Sequence, residues 1–176
     1  MNNEELLNRI KLHLKQQKKR WGHLIYGLDD LYQSFDELKI KGKRNTEERI
    51  KEYELKNHIK KHYNILDIGC NCGFIDLKLA KFVNSIDGVE INPFLVDIGN
   101  EVKEFLKIKN VNFHPIGFEE YETDKKYEAV FSFAADEVAD GLSKLSFSDY
   151  IKKISLLIVK NGYLFFESQA SDILQG

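Results

Sequence analysis

From residue 64 onwards, short apolar runs alternate with helical segments, and this alternation restricts the fold more than any other feature. Five runs have the length of strands: YNILDIG, SIDGVEI, VNFHPI, YEAVFSF and GYLFFES. Strands that are joined through helices predict parallel pairing with right-handed crossovers. The last of these helices, SDYIKKISLLIV, has Ser148 as its expected N-cap. The runs are almost continuously apolar, as is typical of strands buried on both faces. The sequence therefore predicts a doubly wound, mostly parallel α/β sheet.

The N-terminal third has a different character. The stretch EELLNRIKLHLKQQ places four apolar residues on one face of a helix, and the aromatic-rich stretch WGHLIYGLDDLYQSF is expected to form loops and short turns. Asn45 and Glu48 resemble a capping box that begins a helix running to about His62. We therefore predict an N-terminal helical cap over residues 1–62 and an α/β domain over residues 63–176.

The composition is that of an ordinary globular protein. Hydrophobic residues make up 43% and charged residues 31% of the 176 residues. The apolar runs are too short to span a membrane, and the acidic, amphipathic N-terminus is unlike a signal peptide. These observations predict a cytoplasmic protein without a membrane segment.

Cysteine and histidine spacing does not indicate a metal site. Cys70 and Cys72 are one residue apart, and the five histidines are scattered without ligand spacing. We expect no metal, and we interpret both cysteines as small packing residues in a turn.

Charge is unevenly distributed along the chain. Residues 1–63 contain 15 basic and 10 acidic residues, whereas residues 64–176 contain 11 basic and 18 acidic residues. The difference is explained by two solvated surfaces of opposite sign, or by a basic cap that receives an anionic substrate such as a phosphorylated sugar or RNA. The chain is not basic enough for a dedicated nucleic-acid-binding protein.

The turn after the first strand contains the main candidate site. NILDIGCNCGF places Asp67 at the end of the strand, before Gly69 and Gly73. Ligands of open parallel sheets bind at the carboxyl ends of the strands, and glycine allows close approach there. The spacing is G-x-x-x-G rather than the G-x-G-x-x-G of dinucleotide sites. Asp67 would repel a pyrophosphate, so the motif favours a ligand with a cationic amino-acid end.

Glu90 follows the second strand, where a carboxylate can accept both hydroxyls of a ribose. Together with D-I-G-C-N-C-G and the five-strand rhythm, it makes residues 60–168 similar to class I S-adenosylmethionine-dependent methyltransferases. This resemblance implies S-adenosylmethionine as the cofactor, with Glu90 on the ribose. It also implies that the glycine loop holds the methionine part. The implied residues of the loop and of the adjoining strand are Asp67, Gly69, Cys70, Asn71, Gly73 and Ile91.

The resemblance also implies the rest of the pocket. The adenine site of the family follows the third strand, where Phe118 and Glu119 stand, although the common acid directly after the glycine is replaced by Phe118. Ser132 and Phe133 would line the methyl-donor side. Arg44 or Arg49 could meet the cofactor carboxylate or an anionic substrate, and Asp136 is a further candidate for substrate contacts. No general base is assigned, because His114 is interpreted as lying inside the third strand.

These features predict an S-adenosylmethionine-dependent methyltransferase that acts on oxygen of a small, sugar-like or anionic molecule. RNA is a less favoured substrate, partly because the Asn/Asp-Pro-Pro-Tyr/Phe sequence of several amine-methylating families is absent. A non-catalytic cofactor-binding scaffold and, less favoured, a nicotinamide-dependent oxidoreductase are the alternatives. Because the family fold usually has seven strands, we also expect a homodimer or association with a missing C-terminal segment.

Overall fold

The computed structural model describes residues 1–21, 31–135 and 145–168. The strands are β1 (Leu31–Gln33), β2 (Gly42–Arg44), β3 (Asn64–Ile68), β4 (Ser85–Val89), β5 (Val111–His114), β6 (Tyr127–Phe133) and β7 (Ile158–Glu167). The helices are α1 (Asn3–Arg20), α2 (Thr46–Glu52), α3 (Leu55–His58), α4 (Phe74–Leu79), α5 (Pro93–Phe105) and α6 (Phe147–Leu157).

The main sheet has five parallel strands in the order β5-β4-β3-β6-β7. The chain first builds outward from β3 through β4 to β5, and then returns to the other side of β3 with β6 and β7. The order reverses beside β3, and this switch point is where ligands of doubly wound folds bind. The predicted fold class is confirmed, and all five predicted strands are present.

The two faces of the sheet bury different sets of side chains. One face packs Ile65, Ile86 and Phe131 against α4 and α5, together with Leu6 and Ile10 of α1. The opposite face packs Leu66 and Val130 mainly against α6. Burial on both faces explains why apolar residues occupy consecutive positions in β3 and β6 instead of alternating with polar ones.

The N-terminal segment contains a helix, as predicted, but it is not wholly helical. Strands β1 and β2 form a separate two-stranded parallel sheet, which the sequence analysis interpreted as loop and polar turn. Helix α1 packs along α5, where Arg9 forms a salt bridge of 3.0 Å with Glu101. Residues of this segment therefore share the core of the main sheet, and the proposed division at residue 62 stays a prediction.

The helix predicted over residues 45–62 is shorter and broken. Asn45 does cap it, because its side chain accepts a hydrogen bond of 3.0 Å from the Glu48 amide. The helix ends at Glu52, and Glu54 adopts a left-handed conformation with φ of 50° before α3 begins. The loose apolar spacing in this stretch left the break undetected.

Helix α6 is capped by Ser146 rather than by Ser148, which the sequence analysis had proposed. The Ser146 hydroxyl accepts a hydrogen bond of 3.1 Å from the Asp149 amide. Replacing Ser146 with alanine is expected to lower the free energy of unfolding by about 1 kcal/mol, because one amide loses its partner. Urea denaturation of S146A and of the matched variant S148A measures this. Equal losses in the two variants would contradict the assignment.

Candidate functional site

The glycine loop, residues 69–73, links the carboxyl end of β3 to α4. Its turn depends on three residues with positive φ, namely Gly69 at 69°, Asn71 at 57° and Gly73 at 64°. The Gly69 and Cys70 amides donate to the carbonyl of Val89 at 2.8 and 3.1 Å, which fixes the loop to the end of β4. Gly69 is exposed and Asn71 is half-buried, whereas the Cys70 and Gly73 positions are buried.

Glu90 is joined to this loop by hydrogen bonds. Its carboxylate accepts from the Asn71 amide at 3.0 Å and from the Asn92 amide at 2.9 Å. These bonds place the acid directly beside the loop, at the carboxyl edge of the sheet where β3 and β4 end. Ionised carboxylates bound by amide groups are held more firmly than neutral pairs. The glycine loop and Glu90, which the sequence analysis identified separately, thus form one continuous surface.

Gln33 is a residue of this site that the sequence analysis missed. Its side-chain oxygen accepts a hydrogen bond of 2.9 Å from the Phe74 amide, and its side-chain nitrogen donates at 3.2 Å to the Cys70 carbonyl. The side chain is almost fully buried. It satisfies a free amide at the start of α4 and fastens the loop to β1. No local sequence pattern links Gln33 to residues 37 and 41 positions further along the chain.

The ring of Phe113 lies beneath the loop in space left by three glycines. A β-carbon at Gly73 would overlap this ring, and one at Gly88 or Gly99 would lie 2.9 or 3.0 Å from it. The three glycines belong to the loop, to β4 and to α5. Only Gly73 had been identified, because the other two acquire their role from a ring on a different strand.

Two buried carboxyl groups lie below the loop. Asp67 is 2% exposed and Asp76, on α4, is fully buried. Burial raises the pKa of Asp67 to about 7, and the Asp76 pKa is raised well above its usual range by burial and by the neighbouring Asp67. The Asp67 side chain therefore lies under the loop rather than on its accessible surface. Its influence on a bound cation would act across the loop backbone.

These carboxyl groups predict a pH-dependent stability. Because the folded pKa of Asp67 exceeds the unfolded value of about 3.9, the folded state holds the proton more tightly between roughly pH 4 and 7. Its contribution to stability is therefore lost as the pH rises through this window. Asp67→Asn should reduce the fall in unfolding free energy between pH 5 and 8 by at least about 1.4 kcal/mol, the value of one pKa unit. Urea denaturation at the two pH values measures the difference.

The matched control is Asp124→Asn, which changes an exposed carboxylate on a surface turn. This variant should keep the pH dependence of the parent chain. If Asp67→Asn also keeps it, the buried pair does not hold an extra proton in the folded state.

The predicted adenine region is formed by neighbouring segments at the same edge. The Ile91 side chain lies against Gly117, since a β-carbon there would be 3.4 Å from Ile91 Cδ1. The Phe118 ring packs on Tyr150 of α6 at 5.2 Å, and Lys153 lies over its face at 5.1 Å. Lys153 also donates to the Glu119 carbonyl at 2.8 Å. Ile91 and Phe118 thus line adjacent, half-buried positions.

At the end of β6, the side chains of Ser132 and Phe133 lie in different surroundings. Ser132 is fully buried and shares a hydrogen bond of 2.8 Å with the Tyr150 hydroxyl, so its side chain faces α6. Phe133 is half-buried and stacks on Tyr53 at 4.5 Å.

Of the two substrate candidates, Arg44 is exposed and lies 3.9 Å from Glu52, and Asp136 lies outside the described residues. Arg49 is buried against Phe133 instead.

His114 lies in β5, as predicted, and is the last residue of that strand. Its ring lies 3.4 Å from Asp87, a buried carboxylate that also accepts from Lys125 at 2.8 Å and from the Tyr127 hydroxyl at 3.0 Å. This network fixes the segment after β5 to the sheet. It does not make His114 a candidate base.

In residues 1–21, 31–135 and 145–168, no group of three or more His, Cys, Asp or Glu side chains is arranged to hold a metal ion. Both cysteines are buried free thiols, and burial raises the pKa of each well above its usual value. The helices of this described part are all too short or too polar to cross a membrane.

Comparisons with known proteins agree with this geometry. A methyltransferase domain family matches residues 59–172. Malonyl-[acyl-carrier protein] O-methyltransferase 1 of Ilyobacter polytropus is 35% identical over 113 residues, covering 60% of this chain and 41% of that enzyme. An uncharacterized RNA methyltransferase of Mycoplasma mobile is 40% identical over 60 residues, covering 34% of this chain and 16% of its own length.

A solved structure shows the same fold. Coclaurine N-methyltransferase, bound to N-methylheliamine and S-adenosylhomocysteine, superposes with a TM-score of 0.61 at 18% identity, covering 93% of this chain and 50% of that chain. The fold is Rossmann-like, and the family match over residues 59–172 makes this a methyltransferase domain. The chain belongs to the methyltransferase domain family, within the class I S-adenosylmethionine-dependent methyltransferases. It spans half or less of the length of each of these three proteins.

The residues present suit the cofactor of this class. A carboxylate stands at the strand end where a ribose would be held, and the backbone of an open loop lies beside it. Nearby, the buried Arg49 has an Nε with no hydrogen-bond partner in the described chain, which suits an anionic amino-acid end. The donor set therefore fits a nucleoside with a zwitterionic tail better than a diphosphate.

Proposed function

We propose that the chain transfers a methyl group from S-adenosylmethionine to an oxygen atom of a small, anionic acceptor. The observation that carries this proposal is the direct pairing of Glu90 with the Asn71 amide, because it unites the ribose-binding acid and the glycine loop. Family membership supports the reaction class.

Each group has a distinct role in this proposal. Glu90 would hold the ribose hydroxyls, while the accessible backbone at Gly69 and Asn71 would hold the methionine part. Ile91, Phe118 and Glu119 would enclose the adenine. Phe133 would border the methyl group at the end of β6. The buried Asp67, Cys70, Gly73 and Ser132 would act by shaping and supporting the pocket.

The protein mainly has to align the acceptor and exclude water. When bound, S-adenosylmethionine supplies a methyl group bonded to a positively charged sulfur. The leaving group of the transfer is then the neutral thioether of S-adenosylhomocysteine. The stacked rings of Tyr53 and Phe133 provide an apolar wall at this end of the sheet. The buried carboxyl pair provides negative potential below the loop when it ionises. A carboxylate acceptor needs no general base, which is consistent with the absence of an assigned one.

The acceptor is inferred from two observations. The Ilyobacter relative is a malonyl-[acyl-carrier protein] O-methyltransferase, and the N-terminal segment adjoining the loop carries more basic than acidic residues. A small molecule with a carboxylate or hydroxyl group is therefore favoured over RNA. We also propose a cytoplasmic location, self-association, and substrate contacts for Arg44 and Asp136.

The test is a transfer experiment with S-adenosylmethionine labelled in its methyl group. The chain is incubated with fractionated bacterial extract, and the label is followed into metabolites, RNA and protein. Label in acidic or sugar-like metabolites, released by mild base as expected for a methyl ester or retained as an ether, supports the proposal. Label confined to RNA or to protein side chains overturns the acceptor assignment, whereas base-labile label on the acyl group of a carrier protein supports it. Tight cofactor binding without transfer to any fraction favours a non-catalytic, cofactor-binding role.

A further inference from the structure

The solvent side of α1 is strongly basic. Residues 11–20 contain five Lys or Arg residues and no Asp or Glu, whereas residues 64–176 contain 11 basic and 18 acidic residues. Four lysines at positions i, i+4, i+7 and i+8 share one side of the helix, and all four are exposed: Lys11, Lys15, Lys18 and Lys19. The opposite side buries Leu6, Ile10 and Gln17. We call these four lysines the α1 basic face.

The charges of the α1 basic face are not neutralised within the described part of the chain. None of its lysines forms a salt bridge there, whereas Arg9, on the flank of the same helix, is paired with Glu101. Like charges four residues apart on a helix repel one another. A cation is favoured by the helix dipole only in the last turn, so the dipole does not account for Lys11 and Lys15. A polyanionic partner would supply the missing counter-charge.

Contacts between α1 and α5 locate the α1 basic face relative to the candidate site. Arg9 pairs with Glu101 at 3.0 Å, and the His13 ring lies 3.8 Å from Asp97, so the two helices run antiparallel. The C-terminal turns of α1 therefore lie beside the start of α5. Because α5 begins three residues after Glu90, the basic end of α1 adjoins the Glu90 side of the carboxyl edge.

The exposed side chain of Leu12 favours a protein over RNA as the partner. It is 52% exposed, beside Lys15 and Lys19, which follow it by three and seven residues. An apolar contact with charged residues around it is typical of protein interfaces. Single-stranded nucleic acids instead bind by stacking their bases on aromatic side chains, and residues 1–20 contain no Phe, Tyr or Trp.

We propose that the α1 basic face docks an acidic protein that presents the methyl acceptor as a tethered group. This inference rests on the proposed function, because it names the form in which the acceptor reaches the same site. Strand β6, whose end would border the methyl group, lies two strands from β4, or about 10 Å along the sheet. A protein docked on α1 therefore lies beside the pocket, and its tether brings the acceptor to the end of β6.

Methyl-transfer kinetics with two forms of one acceptor provide the test. The probes are an acidic acyl-carrier protein loaded with a malonyl group, and the malonyl thioester of N-acetylcysteamine, which has the same acceptor group without the protein. The α1 variant combines Lys11→Gln, Lys15→Gln, Lys18→Gln and Lys19→Gln. It should raise KM for the carrier protein by about 10- to 50-fold, because several charge pairs across the interface are lost together. Both kcat and the kinetics with the small thioester should change by less than about twofold, since exposed glutamine preserves the helix.

A second quadruple variant separates docking from net charge. It changes four exposed lysines outside α1 and has the same net charge as the α1 variant: Lys60→Gln, Lys109→Gln, Lys152→Gln and Lys160→Gln. This control should keep the parent KM for both probes. In the parent and the control, KM for the carrier protein should rise with salt, and this dependence should become shallower only in the α1 variant. Leu12→Ser should raise the same KM by about three- to tenfold through the loss of an apolar contact.

Calorimetry with the carrier protein and with total bacterial tRNA distinguishes the ways in which the proposal could fail. If the parent methylates the small thioester but all variants share one KM for the carrier protein, the docking surface is overturned and the proposed function stands. If the parent binds tRNA through the four lysines and does not bind the carrier protein, the face belongs to RNA and the inference is overturned. Lysine-dependent binding of the carrier protein without methyl transfer supports the docking surface and contradicts the proposed function. If the parent neither binds the carrier protein nor methylates either thioester, both proposals fail.

Discussion

Replacing Gly73 with alanine is expected to destabilise the chain by about 2–5 kcal/mol, which is a large part of the stability of a typical domain. Two costs add together. A residue with a β-carbon is strained by about 1–2 kcal/mol at the φ of 64°, and the new methyl group overlaps the Phe113 ring, which adds about 1–3 kcal/mol of overpacking. Equilibrium unfolding in urea without cofactor measures the loss directly.

Gly117→Ala is the matched control, because a β-carbon there would meet Ile91 at an ordinary contact distance of 3.4 Å. Its unfolding free energy should remain within about 1 kcal/mol of the parent value. Adding Phe113→Leu to Gly73→Ala should recover part of the loss relative to the sum of the two single variants. Strict additivity of the two changes would mean that the ring and the glycine do not interact as described.

The second large effect is expected from Glu90→Gln, which should weaken S-adenosylhomocysteine binding by about 30- to 100-fold. The amide keeps the shape of the side chain, but it removes the charge and replaces one acceptor oxygen with a donor. Because Glu90 accepts from two backbone amides, the change also sets an NH₂ group against an N–H group, which costs about 2–3 kcal/mol. Calorimetric titration measures the affinity.

Glu104→Gln removes an exposed carboxylate from α5 and serves as the control, with no expected change in affinity. Both variants should remain folded by circular dichroism, since Glu90 is half-buried at a strand end. Unchanged affinity in Glu90→Gln would show that the cofactor pocket is elsewhere, and the proposed function would lose its main support.

Several parts of this molecule could be predicted because they depend on residues close in sequence. The strands β3 to β7 are visible as apolar runs, and the turn through Gly69 and Gly73 is encoded by adjacent residues that must adopt positive φ. The position of Glu90 also followed, because an acid directly after a parallel strand must lie at the carboxyl edge. Asn45 was identified as a cap from its spacing to Glu48.

Predictions from the sequence were wrong where neighbouring residues allowed more than one local structure equally well. Ser146 and Ser148 are both suitable caps, and the choice between them depends on where Tyr150 must be buried. The strands β1 and β2 are three residues each and, in the described part of the chain, they pair with one another outside the main sheet, so they leave no periodic signal.

The sequence by itself determined the doubly wound sheet, the glycine loop and the acid beside it, since each arises from short-range spacing and backbone sterics. Only the tertiary structure decided that Gln33 fastens the loop, that Gly88 and Gly99 make room for Phe113, and that Arg49 rather than Arg44 is buried at the edge. The physical reason is that desolvation and close packing depend on which distant segments meet. The energy of a buried charge or of a missing β-carbon is set by neighbours that sequence spacing does not specify.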